Sequence, residues 1–225
     1  MPDPQTAPPC PASQMHSFSA ELAAGAKALT KGARTRNAIR IALCDCLETI
    51  TLDALTIRDI CARAGVSHGT FYIYFANRNA LVSDVLMRFS AFVQARMRRA
   101  SQAQPQAPAR AATSAYMELF VHNRGLMKCL LRHLEGFPEA QRAFQDLNRE
   151  WLESVVAARA GQLRQSGQPV DRDELMRRAY ALGGMVDQYL AGLWLDQDPH
   201  MQAFSHDQGA ILDTLDLLWQ RGMAP

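Results

Sequence analysis

The chain has 225 residues, of which 48% are hydrophobic and 20% charged, and a formal net charge of +2. That length supports one or two domains with a substantial core, and the balance is that of a soluble globular protein. No run of about 18 apolar residues occurs, which excludes a membrane-spanning helix, and +2 is too small a charge to mark a nucleic-acid binder by itself.

Residues 1–30 open with MPDPQTAPPCPASQ, with no basic stretch followed by an apolar core. This predicts a disordered arm rather than a secretory leader. Lys27, Lys31, Arg34 and Arg36 near its end are placed to touch phosphates or a minor groove. A first helix is predicted over Lys31–Glu48, with Ile39, Leu43, Cys46 and Leu47 as its packing face, and Leu52 and Leu55 plug the short link that follows.

The next stretch, LTIRDICARAGVSHGTFYIYFANRNAL over residues 55–81, is the most informative of the chain. Thr56 is a good N-cap with Asp59 three places on, a capping-box spacing. Ile57, Ile60, Cys61 and Ala64 then recur at helical period, Gly65 suits the left-handed turn that ends a helix, and Ser67 suits the cap of another. In that second helix Phe71 and Phe75 are four apart and face inward, leaving Ser67, His68, Gly69, Thr70 and Tyr72 on the opposite side. Two short helices joined by a glycine turn, the second displaying polar and aromatic groups, predict a helix-turn-helix that enters a DNA major groove. Charge agrees in place: residues 31–80 hold seven Lys/Arg against four acids, whereas residues 81–225 hold 16 of each. The exposed helix start at Thr56 is expected to meet phosphate, and His68 and Gly69 lead the reading helix and are expected to read sequence.

This segment resembles the DNA-binding domain of the TetR family of transcriptional repressors, whose members read T-x-R-x-I-A-x-x-A-G-V-S-x-G-T-x-Y-x-[HY]-F-x-[SN]-[KR]-x-x-L. In register stand Thr56, Arg58, Ile60, Ala64, Gly65, Val66, Ser67, Gly69, Thr70, Tyr72, Tyr74, Phe75, Asn77, Arg78 and Leu81. Cys61 departs from the usual Ala, and the match covers residues 31–81. The resemblance implies an all-α protein with a three-helix DNA-binding domain over residues 31–80. Residues 81–225 would then be a larger effector-binding and dimerisation domain, for about nine helices in all. It implies a base contact from Arg58, phosphate and base contacts from Thr70, Tyr72 and Tyr74, and phosphate clamps at Arg78 and Arg36. It further implies a homodimeric repressor on a palindromic operator in double-stranded DNA, released by a small hydrophobic effector.

Asn77 is placed to cap a fourth helix running to about Ser101, with Leu81, Val85, Leu86, Phe89 and Phe92 on one face; Gln102–Pro108 ends it. Helices follow over Ala109–His122, Arg124–Glu135, Pro138–Ser166, Arg172–Leu195 and Ser205–Arg221. The run AYALGGMVDQYLAGLWL, residues 179–195, is apolar nearly all round, and the last helix has two apolar faces, so each needs two partners. A dimer interface including Gly183, Leu190, Trp194, Leu212, Leu215 and Trp219 is expected. An effector pocket is expected among Tyr116, Phe120, Met127, Trp151, Val155, Met185 and Tyr189, with Glu118, His122 and His133 as polar handles.

Five cysteines, at 10, 44, 46, 61 and 129, form no C-x-x-C pair and read as reduced thiols of a cytoplasmic protein, with Cys44, Cys61 and Cys129 as small buried hydrophobes. No Gly-rich phosphate loop, G-x-S-x-G, H-E-x-x-H or Cys/His cluster is present, so neither catalytic residues, a metal nor a cofactor is expected. The runner-up readings are a DNA-binding factor governed by a protein partner or lacking a ligand and, remotely, an all-α enzyme.

Overall fold

The computed structural model describes residues 16–225. Among them are eleven α-helices, two 3-10 turns and no strand. In chain order they are α1 (Phe18–Gly25), α2 (Lys31–Leu47), α3 (Ile57–Ala64), α4 (His68–Tyr74), α5 (Arg78–Ala103), α6 (Pro108–His122), α7 (Arg124–Arg132), α8 (Pro138–Gln165), α9 (Arg172–Trp194), α10 (Pro199–Gln202) and α11 (Gln208–Gly222). Nine correspond to the helices expected from sequence; α1 and α10 are additional.

Local chemistry sets the ends around the helix-turn-helix. Thr56 accepts from the Asp59 amide at 3.2 Å while Asp59 accepts from the Thr56 amide at 3.0 Å, a complete capping box on α3. Gly65 ends α3 at φ 65°, where a side chain would be strained, and Ser67 caps α4 through the Thr70 amide at 3.1 Å. Asn77 caps α5 through Ala80 at 2.8 Å. The turns are thus built from side chains within three residues of the groups they satisfy.

One apolar core runs from the helix-turn-helix into the larger domain. Ile39, Leu43, Ile60 and Phe71 belong to the same cluster as Leu81, Val82, Val85 and Leu86 of α5 and Leu119 and Met127 beyond. A polar latch reinforces the joint. Arg40 donates to both carboxylate oxygens of Asp84 at 2.7 and 3.1 Å, and Arg88 and Arg36 approach the same group at 3.3 and 3.8 Å. Burial works against the charged form of Asp84, but the hydrogen bonds and charge of Arg40, with Arg88, hold its carboxyl below the ordinary 3.8. An Arg40→Ala variant strips a half-buried carboxylate of its main partner and is expected to lose about 1–2 kcal/mol in urea unfolding. Because the folded value is depressed, the latch's contribution is present above pH 3.8 and falls away as pH drops through the lower folded value, so the wild-type–variant gap should close in acid.

The arm expected to be disordered is a helix where it is described; residues 1–15 lie outside the described residues. Phe18 is buried against the rings of Phe89 and Phe92 at 5.5 and 5.3 Å. Its amide donates to Asn123 Oδ1 at 2.8 Å, Asn37 donates to the Leu22 carbonyl at 2.7 Å, and Arg96 pairs with Glu21 at 2.8 Å. A buried aromatic and long-range polar pins supply what the local sequence lacks.

The buried thiols of Cys44, Cys46, Cys61 and Cys129 are all free. Burial pushes Cys129 up to about 12 and Cys44 higher still, so both are protonated packing groups at neutral pH. Among the described residues no helix is long and apolar enough to cross a membrane, and no three His, Cys, Asp or Glu side chains gather as a metal site would.

Candidate functional site

Helices α3 and α4 cross so that α4 turns one face to the core and the other outward. Phe71 and Phe75 are buried with rings 6.0 Å apart, whereas Tyr72 is 54% and Ile73 76% exposed. Ser67, His68 and Gly69 are exposed at the leading end, as are Thr56 and Arg58 at the start of α3. The expected reading residues therefore fall on one outward surface. Ile73 was not anticipated; its signal is an apolar residue off the Phe71–Phe75 face, where it could meet a thymine methyl.

Other expected contacts are partly committed within the protein. Arg78 turns inward and donates to the Leu52 and Leu55 carbonyls at 3.0 and 2.7 Å, so it ties the α2–α3 link to α5 rather than standing free as a clamp. Arg36 lies over the Phe75 ring at 5.2 Å beside Asp84. The Thr56 amide and hydroxyl both donate to Asp59, the latter at 2.6 Å, leaving the next amides of α3 as the anion donors. Tyr74 is half-buried, its hydroxyl 3.5 Å from where a Gly32 Cβ would stand. Thr70 is half-buried and shares a 2.9 Å hydrogen bond with Ser67.

Further along α5 lies a cavity of about 240 Å³, bounded also by α6, α8, α9 and α11. It sits between the main core and a second cluster built on Leu152, Val156, Leu163 and Leu175. Gly183 and Gly184 on α9 help keep it open, since a Cβ on either would meet nothing within 4 Å. In its wall the Tyr116 hydroxyl donates to Asp187 Oδ1 at 2.6 Å. Burial pushes the Asp187 carboxyl up to about 6 although Tyr116 acts in the opposite sense.

Residues 46–85 match the family model for bacterial regulatory proteins of the tetR family. Over these residues, which hold the helix-turn-helix, the chain is similar to that family. No curated protein matches it. Among solved structures it is similar to a provisionally assigned transcriptional regulator from Pseudomonas aeruginosa PAO1, with 18% identity and a TM-score of 0.64 over 88% of this chain and 94% of that one. It is also similar to a provisionally assigned TetR-family transcriptional regulator from Syntrophomonas wolfei, with 15% identity and a TM-score of 0.59 over 86% and 97%. These two likenesses concern the fold.

The cavity takes only part of the expected lining. Tyr116, Trp151 and Val155 line it. Phe120 and Met127 do not: both are fully buried and sealed in the main core. Met185 and Tyr189 pack elsewhere on α9, with Tyr189 hydrogen-bonded to Ser205 at 2.9 Å. Glu118, His122 and His133 also lie outside it; the polar groups inside are Gln94, Thr113, Asn148 and Asp187 among others. The expected interface set divides too. Leu190 and Leu215 are buried within the protomer, so a partner could not reach them. Trp194 packs its ring at a tilt on Phe120, centroids 6.0 Å apart, Gly183 and Trp219 face the cavity, and Leu212 is half-buried on the core. The exposed apolar groups on α9 and α11 are instead Tyr180, Leu217 and Leu218.

Proposed function

We propose that this chain is a TetR-family transcriptional regulator, a repressor that binds a palindromic operator as a homodimer and is released when a small effector fills the cavity between α5, α6, α8 and α9. The observation that supports this most is the double duty of α5. Its first turns, Leu81 to Leu86, pack into the helix-turn-helix core, and its middle, at Ser90, Val93, Gln94 and Met97, lines the cavity. A ligand that prefers one position of this 26-residue rod biases the reading head at its other end.

On DNA, Arg58, His68, Tyr72 and Ile73 form the base-reading edge. Thr70, the amides beginning α3, and Lys27, Lys31 and Arg34 hold phosphates, and Arg36 and Arg78 act chiefly by positioning the head. Tyr180, Leu217 and Leu218 offer the apolar area that a second copy would cover. Selection of DNA by the full chain from a random duplex pool tests the reading. The expected result is a two-fold symmetric sequence with half-site centres about 34–36 Å apart or a multiple of that, bound by two chains in sedimentation. An unenriched pool, or an asymmetric site held by one chain, would overturn it.

A further inference from the structure

The cavity contains more specific chemistry than its apolar walls suggest. Asp187 is the one acid in the run of residues 179–195, and it lines this cavity, half-buried. Its only hydrogen-bond donor among the described residues is Tyr116, while a carboxylate offers roughly four acceptor positions. No Lys, Arg or His pairs with it, in contrast to Asp84, which three arginines surround. At neutral pH Asp187 is therefore a half-buried negative charge without a counter-ion.

Gln94, on the cavity wall supplied by α5, is 92% buried by its 8% exposure, and its Oε1 has no hydrogen-bond partner. A buried acceptor left unmade costs stability unless something arrives to satisfy it. The amide can present either end by a half-turn, whereas the carboxylate can only accept, so Asp187 decides the sign of the ligand. Around them Tyr116, Trp151 and Trp219 give aromatic surface of the kind that attracts cations.

We propose that the ligand of this cavity is a cationic amine on a compact apolar body, its ammonium group held by Asp187 and Gln94 and its body against the tryptophans. The proposal rests on the cavity being the effector site and adds the chemical class of what enters it. An ammonium supplies the donors and the countercharge together; an anion would add a second buried negative charge, and a neutral donor would leave the first uncompensated.

Three probes with one apolar body test this: 4-phenylbutylamine, 4-phenylbutan-1-ol and 4-phenylbutanoate, titrated at pH 7.5 into the full chain by tryptophan fluorescence and calorimetry. The amine should bind about tenfold more tightly than the alcohol, with the acid weakest, a ranking that needs no variant. Asp187→Asn, checked for an unchanged melting curve, should bring the amine down to the alcohol's affinity. Gly183→Leu should fill the cavity and abolish binding of all three. If the alcohol or the acid binds as tightly as the amine and Gly183→Leu blocks it, the ligand class is overturned while the effector site stands. If Gly183→Leu leaves binding of the amine unchanged, or none of the three binds up to millimolar concentration, the proposal and the reading of the cavity as the effector site fall together.

Discussion

A Gly125→Ala variant is expected to lose about 2–3 kcal/mol of folding stability, the cost of overpacking a joint that cannot relax. Gly125 opens α7 directly against the end of α2, where an added Cβ would overlap the carbonyl group of Leu47. The obstacle is backbone, not the far end of a flexible side chain, so the two helices would have to part. Doing so would also stretch the hydrogen bond from the Gly125 amide to Glu48 at 3.2 Å. This contact joins the helix that supports the reading head to the effector half, so the same variant should alter how strongly the two halves are coupled. Gly161→Ala is the control. It lies within α8 with nothing within 4 Å of a new Cβ, and should gain up to about 1 kcal/mol from helix propensity. Urea midpoints for the pair should therefore move in opposite directions.

The second large effect is expected on DNA. Arg58 and Tyr72 are exposed on the outward surface of α3 and α4, and neither is a buried core residue, although one edge of Tyr72 meets the Phe71 ring at 5.5 Å. A double Arg58→Ala, Tyr72→Ala variant should keep the wild-type melting temperature while its operator affinity falls about 100-fold, as removal of two base or phosphate contacts would produce. Fluorescence anisotropy with the selected duplex at physiological salt measures the loss. Arg78→Ala makes an informative contrast. Its guanidinium holds the Leu52 and Leu55 carbonyls, so that substitution should lower the melting temperature as well as the affinity.

How much of this could be read from the sequence follows the range of the interactions. The helix-turn-helix was legible because each of its signals is local. Thr56 and Asp59, Gly65, Ser67 and Asn77 act within three or four residues, and Phe71 and Phe75 mark the inward face by their spacing. Helix α1 was not legible, because Phe18 and Leu22 are held by Phe89, Asn123 and Asn37, which are far away along the chain. The cavity was half legible. A large apolar residue looks the same in sequence whether it is sealed like Phe120 and Met127 or lines a space like Trp151. What distinguishes the cavity is a polar residue in its wall, Asp187, which the reading of residues 179–195 as apolar nearly all round passed over. For Leu190 and Leu215, on helices expected to need two partners, the packing lies inside the same protomer.

The proposed function requires that the outward face of α3 and α4 read a particular DNA sequence, not merely the phosphate backbone. Affinities of the wild-type chain for its selected duplex and for a scrambled duplex of equal length and composition, taken over a salt series, test it most directly. A sequence-reading head should bind the selected duplex at least about a thousandfold more tightly near physiological salt, and the gap should persist as salt weakens both. Equal affinities that fall together with salt would contradict the account, because the face would then hold phosphates without reading bases.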